Sequence, residues 1–221
     1  MEAVGWVFDL DGVLIHSEPI HMRSWQEVVR RRGRTLGGEW QDIGIGIPDA
    51  EFWPLAAGAL GLDPSDASAL EEKRKIFETI VQREGMPLCE GAQELLARLR
   101  PRYPLALATS SSRAFVDDVL EQQGWEAIFR VTLSRDDVER PKPDPEIFLK
   151  AALGLDLDPT KCIAVEDSPT GLAAAAAAGM RAIGVTTSFP AQRLQGAGLI
   201  VHSLGEIGRI LDFAGAPRWR E

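Results

Sequence analysis

Two aspartates separated by one residue, Asp9 and Asp11, directly follow the apolar run Val4-Gly5-Trp6-Val7-Phe8. In extended chain, side chains at i and i+2 point to the same side, roughly 6.5–7 Å apart. Carboxylates that close repel, and one takes up a proton unless a cation lies nearby. Asp11-Gly12 is also a common turn pair, a reading that leaves Asp9 at the mouth of an apolar strand unexplained. A second acidic pair, Glu166-Asp167, follows the apolar run Cys162-Ile163-Ala164-Val165. Ser168 and Pro169 suit an N-cap and a first helical position. The two acids before them are hard oxygen ligands of the kind that Mg²⁺ takes. Together Asp9, Asp11, Glu166 and Asp167 bring up to four negative charges to one place, and a divalent cation is the expected partner.

Two further groups suit an anionic substrate. Thr109-Ser110-Ser111-Ser112 ends one apolar run and opens a helix. It reads either as an N-cap cluster or as an anion site built from hydroxyls and free backbone N–H groups. Lys142 stands in Arg140-Pro141-Lys142-Pro143-Asp144-Pro145, where prolines hold the chain extended. It is either a surface lysine or an ammonium aimed by a rigid frame. Each feature alone is weak, but four in order on successive strand ends point to one site.

These residues need a scaffold that brings strand ends together. Apolar runs at Val4–Phe8, Leu105–Thr109, Ile128–Leu133, Cys162–Glu166, Arg181–Val185 and Leu199–Val201 read as strands. Helical patterns separate the later ones: Ala92–Leu99, Ala114–Gln123, Pro145–Leu153 and the alanine tract Ala173–Ala178, which ends at Gly179. Continuous apolar strands alternating with helices imply a parallel sheet covered on both faces. Ligands of such sheets collect beyond the carboxyl ends of the strands. Between the first two strands the pattern is helical: Glu18–Arg32, about Ala50–Leu60 and Ser65–Arg83, with a Gly/Pro-interrupted stretch from Gly37 to Pro48. The expected fold is therefore α/β, a Rossmann-like parallel sheet core with an inserted all-helical cap. The core spans residues 1–16 and 86–221, and the cap spans residues 17–85. The alanine tract reads as close helix packing.

Composition narrows the function classes. The 221 residues are 45% hydrophobic and 26% charged, with a formal net charge of −9. That balance argues against nucleic acid, which calls for a basic face. The basic run Arg30-Arg31-Arg32 with Arg34 falls at a helix end, where cations suit the dipole, and reads as a solvated face. No segment approaches the roughly 20 apolar residues that span a bilayer. Met1-Glu2-Ala3-Val4-Gly5 has no signal-peptide character. Cys89 and Cys162 form no CxxC pair and read as reduced thiols, so the expected location is the cytoplasm. No obligate protein partner is evident.

With these residues in place, the chain resembles the haloacid dehalogenase superfamily of phosphotransferases from Val4 to about Ser203. Asp9-Leu10-Asp11-Gly12-Val13-Leu14 resembles the first motif, Thr109 the second, and Lys142 the third. Glu166-Asp167-Ser168 with Gly171 resembles the fourth. The helical insert is similar to the small cap of the β-phosphoglucomutase-like branch, whose cap-entry pattern Ser17-Glu18-Pro19, His21 and Trp25 match. The resemblance implies that Asp9 is nucleophile and metal ligand. It makes Asp11 general acid and base, with its backbone carbonyl on the metal. Thr109 and Lys142 would hold phosphoryl oxygens, while Glu166 and Asp167 complete an Mg²⁺ site. Gly12, Ser110 and Ser111 would contact substrate, as would His21 from the cap. Relatives that cleave carbon–halogen or phosphonate bonds lack the second aspartate, so Asp11 points to an oxygen leaving group that must be protonated. Two departures, His16 for a frequent aspartate and Glu90 for a frequent proline, lie at the hinges between core and cap.

The expected function is Mg²⁺-dependent hydrolysis of a small phosphorylated metabolite such as a sugar phosphate, through a phosphoaspartate. One alternative is a sugar-phosphate mutase, which needs a cap cation for a second phosphate. Gln41–Glu72 holds no lysine or arginine but seven acids: Asp42, Asp49, Glu51, Asp63, Asp66, Glu71 and Glu72. Lys73, Arg74 and Lys75 follow at once and keep that alternative open. The other alternative is a non-catalytic binding member of the same fold.

Overall fold

The computed structural model describes residues 4–44 and 47–214, apart from the side chains of residues 41, 42 and 212–214. The start of the chain, Met1 to Ala3, and the side chain of Asp42 therefore lie outside the described residues. The elements run β1 (Gly5–Phe8), α1 (Glu18–Arg31), α2 (Glu39–Gly44), α3 (Asp49–Ala59), α4 (Ser68–Glu84), α5 (Ala92–Leu99) and β2 (Leu105–Ala108). There follow α6 (Arg113–Gln123), β3 (Val131–Leu133), α7 (Glu146–Gly154), β4 (Cys162–Glu166), α8 (Pro169–Ala177), β5 (Arg181–Val185), β6 (Leu199–Val201) and α9 (Leu204–Ala214). Two compact units result, Met1–His16 with Pro87–Glu221, and Ser17–Met86. Among the described residues no helix is long and apolar enough to cross a membrane.

The first unit is built on a six-stranded sheet in the order β3-β2-β1-β4-β5-β6. Every neighbouring pair is parallel. The chain winds outward from β1 through β2 to β3, returns to β4 beside β1, and winds outward again to β6. The order therefore reverses at β1 and β4, and the crevice beyond their carboxyl ends is where such a sheet takes its ligand. In register, Val7 faces Ala106 on one side and Ala164 on the other. Those residues, with Ala108 and Ala182, form one core with Ile147, Phe148, Ala151 and Ala152 of α7 and Leu172, Ala174 and Ala175 of α8. The opposite pleat, Trp6, Phe8, Leu107, Val165 and Ile183, is buried as well. Burial on both pleats is why these strands read as unbroken apolar runs.

The second unit is helical and has its own core. Trp25 stacks on Trp53 at 5.6 Å between ring centroids and packs on Phe52 at 5.3 Å. Val28, Val29, Trp40, Ala56 and Ala57 close around them. Trp25 is thus core here, with its Nε1 donating to Asp49 Oδ1 at 3.0 Å. The arginine run at the end of α1 is more than a solvated face. Arg32 is partly buried and pairs with Asp66 at 2.8 Å and Glu72 at 2.6 Å, tying the end of α1 to the start of α4.

Three elements differ from the sequence expectation. Strand β3 starts at Val131 rather than Ile128, because a turn takes the Ile128 N–H to the Trp125 carbonyl at 2.9 Å. Helix α2 forms within the Gly/Pro-interrupted stretch, with buried Trp40 anchoring it in the helical core. Helix α9 was masked by Gly205 and Gly208, which weaken helical propensity. Leu204 and Ile207 are fully buried and hold it in place.

Helices α5 and α9 meet through glycine. Gly91 has φ +82°, and a Cβ on it would lie 2.3 Å from the Gly205 nitrogen. The neighbouring Leu204 N–H donates to the Glu90 carbonyl at 3.1 Å. Gly91→Ala should therefore cost on the order of 2 kcal/mol or more, from left-handed strain plus the backbone clash. Gly124 also has positive φ but open space around it, so Gly124→Ala should cost less. Urea unfolding of the two variants measures the difference, and equal losses would contradict the packing argument.

Candidate active site

The end of β1 delivers Asp9, whose backbone N–H still bonds the Val165 carbonyl of β4 at 3.0 Å. The end of β4 delivers Glu166 and Asp167. Oxygens of Asp9, Glu166 and Asp167 lie within 4.8 Å of one another, and all three residues are buried. Lys142 reaches the same place. Its Nζ donates to Asp9 Oδ1 at 2.9 Å, to Glu166 Oε1 at 2.6 Å and to the Ala108 carbonyl at 2.9 Å. The ammonium also lies over the ring of Phe148, 5.1 Å from its centroid. Lys142 is thus an aimed ammonium rather than a surface one.

Glycines make room for the acids. Gly171, in the first turn of α8, would place a Cβ 2.0 Å from the Glu166 carboxyl carbon. Ser168 caps the helix by accepting from the Gly171 N–H at 3.0 Å, and its hydroxyl donates to Glu166 Oε2 at 3.1 Å. Both Glu166 oxygens are thus engaged, one by Lys142 and one by Ser168. Gly12, at φ +73°, would place a Cβ 1.7 Å from Asp167 Oδ2. The Ser188 hydroxyl donates to that same oxygen.

The hydroxyl run after β2 divides its work. Thr109 is buried, and its Oγ1 accepts from the Ser111 N–H at 3.1 Å. Ser111 Oγ donates to Asp11 Oδ2 at 2.6 Å, which orients the Asp11 side chain. Ser110 is exposed, and Ser112 is the N-cap of α6. The carboxylate of Asp11 does not join the three-acid cluster.

Charge is out of balance in this crevice. Burial lowers the affinity of Lys142 for its proton, but Asp9 and Glu166 outweigh it and hold the ammonium well above its ordinary value. Burial pushes Glu166 up from 4.5 to about 7; Lys142 opposes the shift and Asp9 adds to it. Burial, then Asp9 and Glu166, push Asp167 well up. One lysine cannot satisfy three buried carboxylates, and the remainder calls for a proton or a cation. An all-oxygen, net-negative donor set in this position fits a hard divalent cation.

Of the residues singled out in sequence, Asp9, Glu166, Asp167 and Lys142 meet here, with Gly12 packed against Asp167. Thr109 and the Asp11–Ser111 pair stand at the neighbouring strand ends. His21 lies in the helical unit, stacked on Phe77 at 4.4 Å. Its Nδ1 is 2.5 Å from Lys73 Nζ, which also pairs with Asp49 at 2.6 Å. Burial and then Lys73 push His21 down to about 3, so its ring is neutral. His16 and Glu90 line one cavity of about 170 Å³ in the sheet unit, together with Cys89 and His202. Burial and the nearby Asp167 and Asp11 push the Cys89 thiol up to about 12, which removes it as a nucleophile. Sequence reasoning missed Ser188. Its signal was a second hydroxyl run, Thr186-Thr187-Ser188, at the end of β5.

A parallel sheet with carboxylates and a lysine gathered at its switch point defines an α/β protein with an acidic site beyond its strand ends. The chain belongs to the haloacid dehalogenase-like hydrolase family, whose pattern matches residues 5–179. Validoxylamine A 7′-phosphate phosphatase of Streptomyces hygroscopicus subsp. limoneus is 31% identical over 202 residues, 91% of this chain and 94% of that protein. The phosphorylated carbohydrates phosphatase of Thermotoga maritima is 32% identical over 221 residues, 98% of this chain and 92% of that one. The crystal structure of β-phosphoglucomutase from Clostridium difficile superposes with a TM-score of 0.72, covering 95% of this chain and 97% of that one. At 24% identity this last likeness speaks for the fold alone.

Raised carboxyl groups have a signed effect on stability. The folded state holds the Glu166 proton more tightly than the unfolded chain does. Its contribution is therefore complete below about pH 4.5 and is lost as pH rises through about 7. Without a cation the protein should lose thermal stability across that interval, and a hard divalent cation such as Mg²⁺, if it binds the cluster, should reverse the loss by favouring ionised carboxylates. Melting curves with chelator and with Mg²⁺ between pH 5 and 8 measure this. A metal-free stability that rises over the interval would contradict it.

Proposed function

We propose that the chain is an Mg²⁺-dependent phosphatase that hydrolyses a small phosphorylated metabolite, a sugar phosphate in class, through a phosphoaspartate on Asp9. The observation that carries the reading is the crevice in which Asp9, Glu166 and Asp167 converge around one lysine. Asp9, Glu166 and Asp167 would hold the ion, with Asp11 contributing its backbone carbonyl. Bound there, Mg²⁺ would offset negative charge on the phosphoryl oxygens.

The chain's own residues supply the rest. An oxygen of Asp9 attacks phosphorus, and the bond to the ester oxygen breaks. Asp11, oriented by Ser111, gives a proton to that leaving oxygen. It then takes one from the water that attacks the phosphoaspartate, releasing phosphate and restoring Asp9. Lys142 and Thr109 hold the phosphoryl oxygens, where catalysis is mostly electrostatic. Gly12, Ser110 and Ser111 line the substrate side. Residues 1–16 and 86–221 would act as catalytic core and residues 17–85 as a helical cap, with His21 as that unit's candidate substrate contact. Two buried free cysteines agree with a reducing cytoplasm.

Hydrolysis is favoured over a mutase by the cations of the helical unit. Lys73 pairs with Asp49, Arg74 with Glu71 and Glu78, and Lys75 with Glu71. Each is engaged by acids of its own unit, which makes a poor clamp for a second phosphate. The Streptomyces and Thermotoga relatives are named as phosphatases.

A panel of sugar monophosphates assayed with Mg²⁺ should show phosphate release that excess chelator abolishes. Isomerisation of glucose 1-phosphate faster than phosphate release would replace this reading with the mutase. Asp9→Asn should remove turnover almost completely. Asp11→Asn should slow it by about 10²–10⁴-fold, yet with p-nitrophenyl phosphate it should give a burst of product and a phosphoryl group trapped on Asp9. Rapid quench with mass-spectrometric mapping reads both. A phosphoryl group found on Ser110, Ser111 or a histidine would overturn the mechanism.

A further inference from the structure

Glu166 and Asp167 are adjacent, but their charges are used differently. Glu166 is fully buried and faces an ammonium at 2.6 Å, so much of its charge is matched inside the protein. Asp167 Oδ2 accepts from a neutral hydroxyl, that of Ser188. A hydroxyl orients a carboxylate without cancelling its charge. The same oxygen rests against the backbone of Gly12, where a Cβ would come within 1.7 Å of it and within 2.5 Å of Ser188 Oγ. Gly12 and Ser188 thus close a seat around one carboxylate oxygen of a residue that lies in the three-acid cluster.

The segment that carries Ser188 is itself tied down. Thr186 donates its N–H to the Val201 carbonyl of β6 at 3.0 Å, and its hydroxyl meets His202 Nδ1 at 3.0 Å. Arg193 lies over the Phe189 ring at 4.5 Å. Ser188 therefore sits two residues beyond the anchored Thr186.

We infer that Ser188 is a positioning residue that fixes the Asp167 carboxylate in the orientation needed to bind a hard divalent cation. The inference rests on the Mg²⁺-dependent reading above and adds a residue from the end of β5 to it. Partners that orient metal ligands in this way are typically worth about 10–100-fold in metal affinity or activity.

Equilibrium calorimetry of the full chain with Mg²⁺ alone tests it. Ser188→Ala should weaken Mg²⁺ binding by about 10-fold or more, and kcat should recover at saturating Mg²⁺. Ser188→Thr, which keeps the hydroxyl, should bind Mg²⁺ more tightly than Ser188→Ala. Melting curves in chelator establish that the variants fold. Should Ser188→Ala not fold, Ser188→Cys, close in size and a weak donor, must show the same loss. Asp167→Asn serves as the reference. If it abolishes Mg²⁺ binding while Ser188→Ala and Ser188→Cys bind as the parent does, the positioning role is overturned and the phosphatase reading stands. If Asp167→Asn binds Mg²⁺ as tightly as the parent, the metal site itself falls, and the inference with it. A kcat loss in Ser188→Ala that persists at saturating Mg²⁺ with unchanged affinity also overturns it.

Discussion

One ammonium surrounded by too many carboxylates is the constraint on which the rest of the sheet unit depends. Lys142 touches Asp9 and Glu166 directly, and Asp167 stands within reach of both acids. Removing three carboxylates from water costs far more than one cation returns. The arrangement persists because the backbone imposes it. Parallel pairing of β1 with β4 sets Asp9 and Glu166 on adjacent strand ends, and the Ala108 carbonyl of β2 gives the lysine a third acceptor. The charge deficit follows from the topology.

The helical unit solves the opposite problem. Among the described residues its buried lysine, Lys73, meets the Asp49 carboxylate and the neutral His21 imidazole, and lies 5.2 Å from the Phe77 ring centroid. Positive and negative charge are matched there, and His21 stays unprotonated through the physiological range. A balanced cluster calls for no further charge. An unbalanced one binds whatever restores neutrality. The contrast leaves the uncompensated charge in the sheet unit.

Much of this was legible in the sequence because the chemistry sits at strand ends. Asp9, Thr109 and Glu166-Asp167 could be read from where apolar runs stop, and strands β4, β5 and β6 have the bounds that those runs predict. The pairings between side chains were not legible. Nothing local says that Glu166 takes Lys142, that Ser111 turns to Asp11, or that Lys73 finds Asp49 and His21, since each pairing crosses between elements. Helix α9 escaped notice because its two glycines hide a helix that tertiary packing upholds. Ser188 escaped because its loop acquires meaning only when β5 lies beside β4.

Alanines of α7 and α8 meet alanines of the sheet on one face of the sheet unit. Ala151, Ala152, Ala174 and Ala175 lie against Ala106, Ala108 and Ala164 with no accessible surface. Helix-to-sheet spacing is set by the side chains between them, and close-packed interiors do not absorb extra methylenes. Helix α8 begins three residues after Glu166 and carries Gly171 hard against that carboxylate. A larger residue in the alanine layer would lift the helix, and its first turn would draw away from the acid it supports. The alanine layer thus works as a spacer gauge for the buried acids. Substitutions far from any substrate would then register as lost precision in the crevice before they registered as lost stability.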